Sequence, residues 1–525
     1  MNRKITFAGL LLIIVNGTIG SAWLFAPYYA AKIAGSGALI AWILGGLMTM
    51  LIAFTFAETS ARIPMTGGTT EVAKYTHGEL TAFIISWVAW ISSITIPAIE
   101  VQAVLQYASN YFPLLMVKTK TGASVLSLLG MVCAVLLLFC LTFINMRTMK
   151  TVLHSNLLIL SFKVSVIFLA IFSIMHVVFH ADNFERIAFS DAESWKTILT
   201  ALATGGVAFA FVGFKHGVEL SGEAIHPSQS VPAAIIGSVF ICLCLYLGLQ
   251  IVFIGSIAPH AITAGWNHLA FIGDLGPFAG IASGLGLLWL VKLLMADAVV
   301  SPMGAASVYV TSTARLTYAM SKNGYFSSVL LRRNQHDIPV AAIIFNSLVG
   351  CFLFLPLPSW QSMVQFLTSI MVISYAMGPI ALLSLRHQNA SLASPFTLPC
   401  ASILSPLAFY FCNLVSYWTG WETMSKTIII LVIGMAVLAF SKRNNADSIW
   451  ASIKSACWLL PYFSGLSLIS YYGSFGGKNS IPFGWDFLFI GIFSILIFWY
   501  AVRCSHYQHK INKLTSERLL FGGLL

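Results

Sequence analysis

Long apolar stretches alternate along this chain with short polar connectors. Apolar runs fall at about 5–30, 38–58, 80–112, 124–146, 152–180, 197–221, 232–258, 275–300, 338–357, 363–385, 400–420, 425–441, 452–473 and 482–503. A helix that crosses a bilayer needs about 20 apolar residues. Membrane β-strands instead read as segments of about ten residues with alternating polarity, and these runs do not alternate. The pattern predicts an all-α polytopic membrane protein with 12 to 14 transmembrane helices.

Composition agrees with the pattern. Of 525 residues, 58% are hydrophobic and 9% are charged, against about 25% charged in a typical soluble domain. Mean hydropathy is +0.87. So few charges cannot cover a water-facing surface of this size, which excludes a soluble protein. The first run, from Ile5 to Ala30, is too long for a signal-peptide core and is read as the first span.

Formal net charge is +11. No basic cluster with interleaved aromatics lies outside the apolar runs, so no nucleic-acid partner is expected. The sign instead reports topology. With the N-terminus inside, eighteen of the 28 Lys and Arg residues fall on one side of the membrane, seven on the other and three within spans. The positive-inside rule then puts both termini in the cytoplasm. Loop 313–337 is expected on the inner side and loop 181–196 on the outer. The nine cysteines lie mostly in apolar runs, and no metal-ligand spacing occurs.

Two spans carry interruptions. The first contains Asn16-Gly17-Thr18-Ile19-Gly20-Ser21; the sixth contains Gly205-Gly206, Phe209 to Gly213, and Gly217. Each glycine costs a helix interior about 1 kcal/mol relative to alanine. Close helix packing is one reason for such residues. Their placement favours another: spans one and six open two successive groups of five, and paired interruptions at matching positions point to a transporter's binding site. A restarted half-helix offers free N–H groups to a carboxylate, and an unwound segment offers carbonyls to an ammonium group. An amino acid carries both charges.

Ionisable residues inside spans are the next candidates. Lys163 lies about 16 Å into its helix at 1.5 Å per residue, where an ionised lysine costs about 2.5–3.5 kcal/mol. A proton- or ion-coupling role and a static internal pair are both open to it. Lys215 follows the sixth-span break, with Glu219 and Glu223 on roughly its face. It is either half of a helical Lys–Glu pair or a contact for an acidic substrate side chain. Glu100, Lys292 and Asp297 complete the set.

Several stretches resemble the amino acid-polyamine-organocation superfamily of permeases, and within it the bacterial aspartate-proton symporter group. They are Gly20 to Phe25, Ala57-Glu58 through Gly67-Gly68, Phe209 to Phe214 with Gly222-Glu223 and Pro227 to Pro232, Asp297-Ala298 with Ser301-Pro302, and Arg315 to Met320. The resemblance covers nearly the whole chain. It implies a leucine-transporter-like fold: a single membrane domain with a five-plus-five inverted repeat in halves 5–180 and 197–386, peripheral helices over 399–503 and a cytoplasmic tail at 504–525. It also implies that backbone groups of Ile19, Gly20, Ser21 and Ala22 bind the substrate carboxylate. Carbonyls around Phe209, Ala210 and Val212 would bind the amine, Phe209 would be a gate, and Lys163 would stand where sodium-coupled relatives hold sodium. Ala22 stands where many relatives have glycine. Lys215 stands where many have an acid, which favours an anionic or neutral substrate.

The expected function is secondary active transport: proton-coupled import of an acidic or neutral amino acid by alternating access across a bacterial inner membrane. An exchanger without obligate proton coupling is the alternative. Glu100, Asp297 and Lys215 are candidates for selectivity or coupling. The expected partners are the amino acid, the proton and the lipid bilayer; no cofactor or metal is expected, and the sequence sets no oligomeric state. An intramembrane enzyme would need a nucleophile–base pair or a metal cluster, and neither stands out.

Overall fold

The computed structural model describes residues 5–65, 67–119, 124–146, 149–184, 191–271, 273, 276–335, 338–357, 359–388, 395–441 and 452–521, with backbone alone over 149–156 and 511–521. Part of the expected outer loop, 185–190, and the last residues of the tail, 522–525, lie outside the described residues.

Every apolar run contains helix. The first span is two half-helices, α1 (Phe7–Thr18) and α2 (Ala22–Ala34). Four spans follow: α3 (Ala38–Arg62), α4 (Gly68–Ala108, kinked at Gly78), α5 (Leu128–Asn145) and α6 (Met149–Val177). Span six is again divided, into α7 (Ala192–Thr204), a 3-10 turn over Phe209–Phe214 and the short α8 (Lys215–Glu219). Then come α9 (Pro227–Ser256), the short α10 (Pro277–Gly284), α11 (Leu288–Lys322), α12 (Val340–Phe352), α13 (Trp360–Tyr375) and α14 (Met377–Gln388). Helices α15 (Ala401–Trp418), α16 (Trp421–Ser441), α17 (Leu459–Tyr472) and α18 (Trp485–Phe521) close the chain. Among the described residues, nine helical segments are long and apolar enough to cross a membrane, and the bent pair in span six makes ten. A two-stranded hairpin, β1 (Met116–Lys118) with β2 (Ser124–Leu126), lies in the connection between α4 and α5.

Two boundaries differ from the sequence reading. Span eight was expected at 275–300 with a polar loop from 313, but α11 starts at Leu288 and runs to Lys322. Its second half is rich in Ala, Ser and Thr and is buried against α4 and α6, so it forms a helix without a hydropathy signal. Lys292, read from the sequence as lying within a span, is the fifth residue of α11 and is exposed on its surface.

Packing follows an ordered scheme. α3 lies along α9 and α4 along α11, joining spans two with seven and three with eight. α4 also packs on α13, and α11 on α6, so the span pairs three–ten and eight–five correspond under a shift of five. The breaks of spans one and six lie inside this frame.

At the end bearing Arg62 and Arg386, a buried carboxylate ties three segments together. Glu58 accepts from Arg62 at 2.8 Å, from Arg386 at 2.9 and 2.6 Å, and from the Leu398 N–H at 2.6 Å. Nearby, the Ile5 N–H donates to the Glu223 carbonyl, the Gly67 N–H to the Glu219 carbonyl, and Arg315 pairs with Glu223. These contacts hold the start of the chain and the α3–α4 connection against α8.

Candidate functional site

The two breaks meet. Gly206 (φ 93°) turns the chain out of α7 in a conformation that side-chain-bearing residues avoid. Seven residues on, Gly213 lies against Thr18, the last residue of α1; a Cβ there would fall 2.6 Å from the Thr18 amide nitrogen. Only a residue without a side chain lets the unwound segments approach this closely.

Breaking a helix inside a bilayer frees backbone groups that need new partners, and around span one they can be accounted for. The Lys163 ammonium donates to the Asn16 carbonyl at 3.0 Å and also to the Ile19 carbonyl. The Tyr246 hydroxyl donates to the Thr18 carbonyl at 3.0 Å. On the other side of the break, the Ser21 N–H donates to Glu100 Oε2 at 2.7 Å. Lys163, fully buried, thus sets its amine at the carbonyl end of α1, and Glu100 sets its carboxyl group at the amide end of α2. These are the ends at which a half-helix dipole favours a cation and an anion respectively.

Asp297 of α11 is the third ionisable group in this cluster. Its Oδ2 accepts from Ser301 at 2.7 Å, and among the described residues its carboxyl group and that of Glu100 are the two within electrostatic reach of Lys163. The Trp23 indole N–H faces the Asp297 carboxyl group, and both are buried beside the break.

Of the expected site residues, Ile19, Gly20, Ser21 and Ala22 all lie at the first break and are buried, with Ala22 beginning α2. Phe209 and Ala210 begin the 3-10 turn, and the Val212 carbonyl accepts from the Tyr375 hydroxyl at 3.0 Å. Phe209 is 3% exposed and meets the Trp360 ring edge-on, with centroids 6.0 Å apart. Trp360 also packs on Phe25 and Tyr29, and its indole N–H donates to Ser21 Oγ at 2.9 Å. The residue expected to gate is thereby linked to the opposite break.

Lys215 stands apart from Lys163. Its ammonium reaches Ser374 Oγ at 3.4 Å and lies over the Tyr375 ring, while Glu219 accepts from Thr69 at 2.7 Å. Lys215 and Glu219 remain within electrostatic reach of one another, while their hydrogen bonds go to different neighbours. Beside them, the His216 ring packs on Tyr309 at 4.3 Å, and His216 Nε2 and Tyr309 Oη lack hydrogen-bond partners among the described residues.

Sequence reasoning passed over Trp360, Tyr375 and Tyr246. Tyr246 and Tyr375 lie in apolar runs without an interruption of their own, and Trp360 lies in the short connector before the run at 363–385, so nothing in the local pattern distinguishes their polar atoms from those of packing or interfacial aromatics. Among the described residues no group of His, Cys, Asp and Glu is arranged to hold a metal ion.

Comparison with known proteins gives this geometry a context. A family model described as amino acid permease matches residues 5–438. The glutamate/serine transporter AimA of Bacillus subtilis (strain 168) is 34% identical over 525 residues, covering 98% of this chain and 96% of that protein. The aspartate-proton symporter of the same organism is 33% identical over 508 residues, covering 95% and 96%. The human large neutral amino acids transporter small subunit 2 is 22% identical over 446 residues, covering 83% and 80%.

Proposed function

The chain belongs to the amino acid permease family, and we propose that it imports an acidic or neutral amino acid together with a proton, by alternating access around the two broken spans. The relatives are named transporters and permeases rather than enzymes, and amino acid transport is the activity their names share. The observation that carries the reading is the Lys163 ammonium on the broken carbonyl end of α1. A cation there does the work of a bound metal ion, and it can lose and regain a proton as its surroundings open and close. The name of one relative, an aspartate-proton symporter, supports proton coupling, and those of two relatives support an acidic or small polar substrate.

In this reading the amino acid carboxylate binds the amide end of α2, around Gly20, Ser21 and Ala22, and the ammonium binds carbonyls of the Phe209–Val212 turn. Phe209 closes over the substrate with Trp360 behind it. Lys215 biases the pocket toward anionic or neutral side chains. The pairing of spans two with seven and three with eight supports a five-plus-five repeat, with halves 5–180 and 197–386 and peripheral helices over 399–503. The excess of basic loops supports cytoplasmic termini in a bacterial inner membrane.

Uptake into proteoliposomes, with and without an inward proton gradient, tests the reading. Accumulation above the external concentration is expected only with the gradient. Uptake that ignores the gradient and requires internal amino acid would make the protein an exchanger.

A further inference from the structure

The start of α2 already holds a carboxylate, and it belongs to the protein. Glu100 Oε2 accepts from the Ser21 N–H at 2.7 Å, the Ser21 hydroxyl is a further partner, and the carboxyl group packs against Gly20. Glu100 is 1% exposed and is carried by α4, outside both broken spans. The free N–H groups of a helix start converge on one anion. An amino acid carboxylate arriving there competes with Glu100 for the same donor.

Charge counting decides what happens to the loser. Lys163 on α6 is the cation at the break, opposed by Glu100 on α4 and Asp297 on α11. Among the described residues, Tyr246 and Cys242 on α9, Tyr309 on α11, Tyr107 on α4 and, against Tyr309, His216 on α8 are the other titratable groups facing this cluster. The α-carboxylate and α-ammonium of an amino acid together add no net charge, and an acidic side chain is assigned to Lys215, outside this cluster. An ionised Glu100 displaced from Ser21 would remain buried without its backbone donor, beside a second carboxylate and the incoming one, and an uncompensated buried charge is strongly unfavourable. As the neutral acid it can leave, and with Lys163 and Asp297 ionised the cluster then sums to zero.

We propose that Glu100 is an internal stand-in for the substrate carboxylate, and that it vacates the start of α2 only when protonated, so that each amino acid bound brings one proton with it. The proposal rests on reading the two breaks as the amino acid site. It assigns a carboxyl proton carrier on α4 in addition to the lysine on α6. By linkage, the proton tightens amino acid binding by the same factor as the amino acid tightens proton binding.

The test is equilibrium binding of radiolabelled glutamate, aspartate and serine, each separately, to the purified full-length protein between pH 5.5 and 8.5, with proton uptake followed in weakly buffered solution. For the wild type, Kd is expected to rise with pH, reaching about tenfold per unit once Glu100 is ionised, with about one proton taken up per amino acid bound. Glu100→Gln is expected to bind with a pH-independent Kd and no proton uptake. A wild-type slope and proton uptake in E100Q would overturn the proposal and move the titration to Lys163 or Asp297. A folded E100Q that binds nothing would also overturn it, because Glu100 would then be a direct ligand. If E100Q does not fold, Glu100→Asp decides: a shifted pH midpoint is expected, and an unshifted one overturns the proposal. Failure of the wild type to bind any of the three amino acids would instead count against the site itself.

Discussion

Gly213 and Thr18 touch backbone to backbone, with no room for even a methyl group between them. This contact locks the unwound part of span six onto the end of α1, and it sets the distance between the carbonyls of one break and the amides of the other. Gly213→Ala is therefore expected to separate the breaks. Overpacking of this kind costs about 1–3 kcal/mol, so the protein should still fold with a lowered melting temperature. Uptake should fall by about tenfold or more, because substrate contacts from the two spans can no longer be made together. Uptake near the wild-type level would show that the contact is packing alone.

Lys163→Gln keeps a donor near α1 but removes the charge and shortens the reach to Asn16 and Ile19. Proton-driven accumulation should disappear, while exchange of labelled for unlabelled amino acid across the same liposomes persists in part. Undiminished accumulation would remove Lys163 from the coupling mechanism.

Lys215→Met preserves most of the buried stem and deletes the ammonium that reaches Ser374 and lies over Tyr375. A competition assay should show acidic amino acids losing affinity about tenfold relative to neutral ones. Equal losses for both classes would mean that Lys215 supports α8 without setting selectivity.

Arg386→Ala leaves the buried Glu58 carboxylate with Arg62 and the Leu398 N–H alone. Removing one partner of a buried pair destabilises by on the order of 3 kcal/mol, a value that falls here because Arg386 is 28% exposed. A lower melting temperature in detergent is the expected readout, with a smaller drop for Glu58→Gln, which removes the charge that needs compensation. No change in either variant would show that α3 and α14 are held together by packing alone.

Much of the fold was legible because a bilayer imposes a simple rule: a chain that crosses it must satisfy its own backbone, and only long apolar helices do so here. The rule locates most spans from composition. It misses the second half of α11, because α4 and α6 rather than lipid surround Ser301 to Lys322. It also does not show that Lys292 stands on the exposed face of α11, since hydropathy does not report which side of a helix packs on its neighbours.

The breaks themselves were visible as glycine clusters at matching positions, and Lys163, Glu100 and Asp297 were visible as charges that an apolar helix would otherwise exclude. Their pairing was not. Residues 21 and 100, like 16 and 163, are far apart in sequence, and no period or spacing records that Glu100 reaches the amide of Ser21 while Lys163 reaches the carbonyl of Asn16. By itself the sequence determined the class of molecule, the approximate spans and the short roll of buried charges, because each depends on local polarity measured against a hydrocarbon solvent. Only the tertiary structure decided which charge faces which end of the broken helix, and that Trp360 links Phe209 to Ser21. Those relationships depend on how α4, α6 and α13 pack around the breaks.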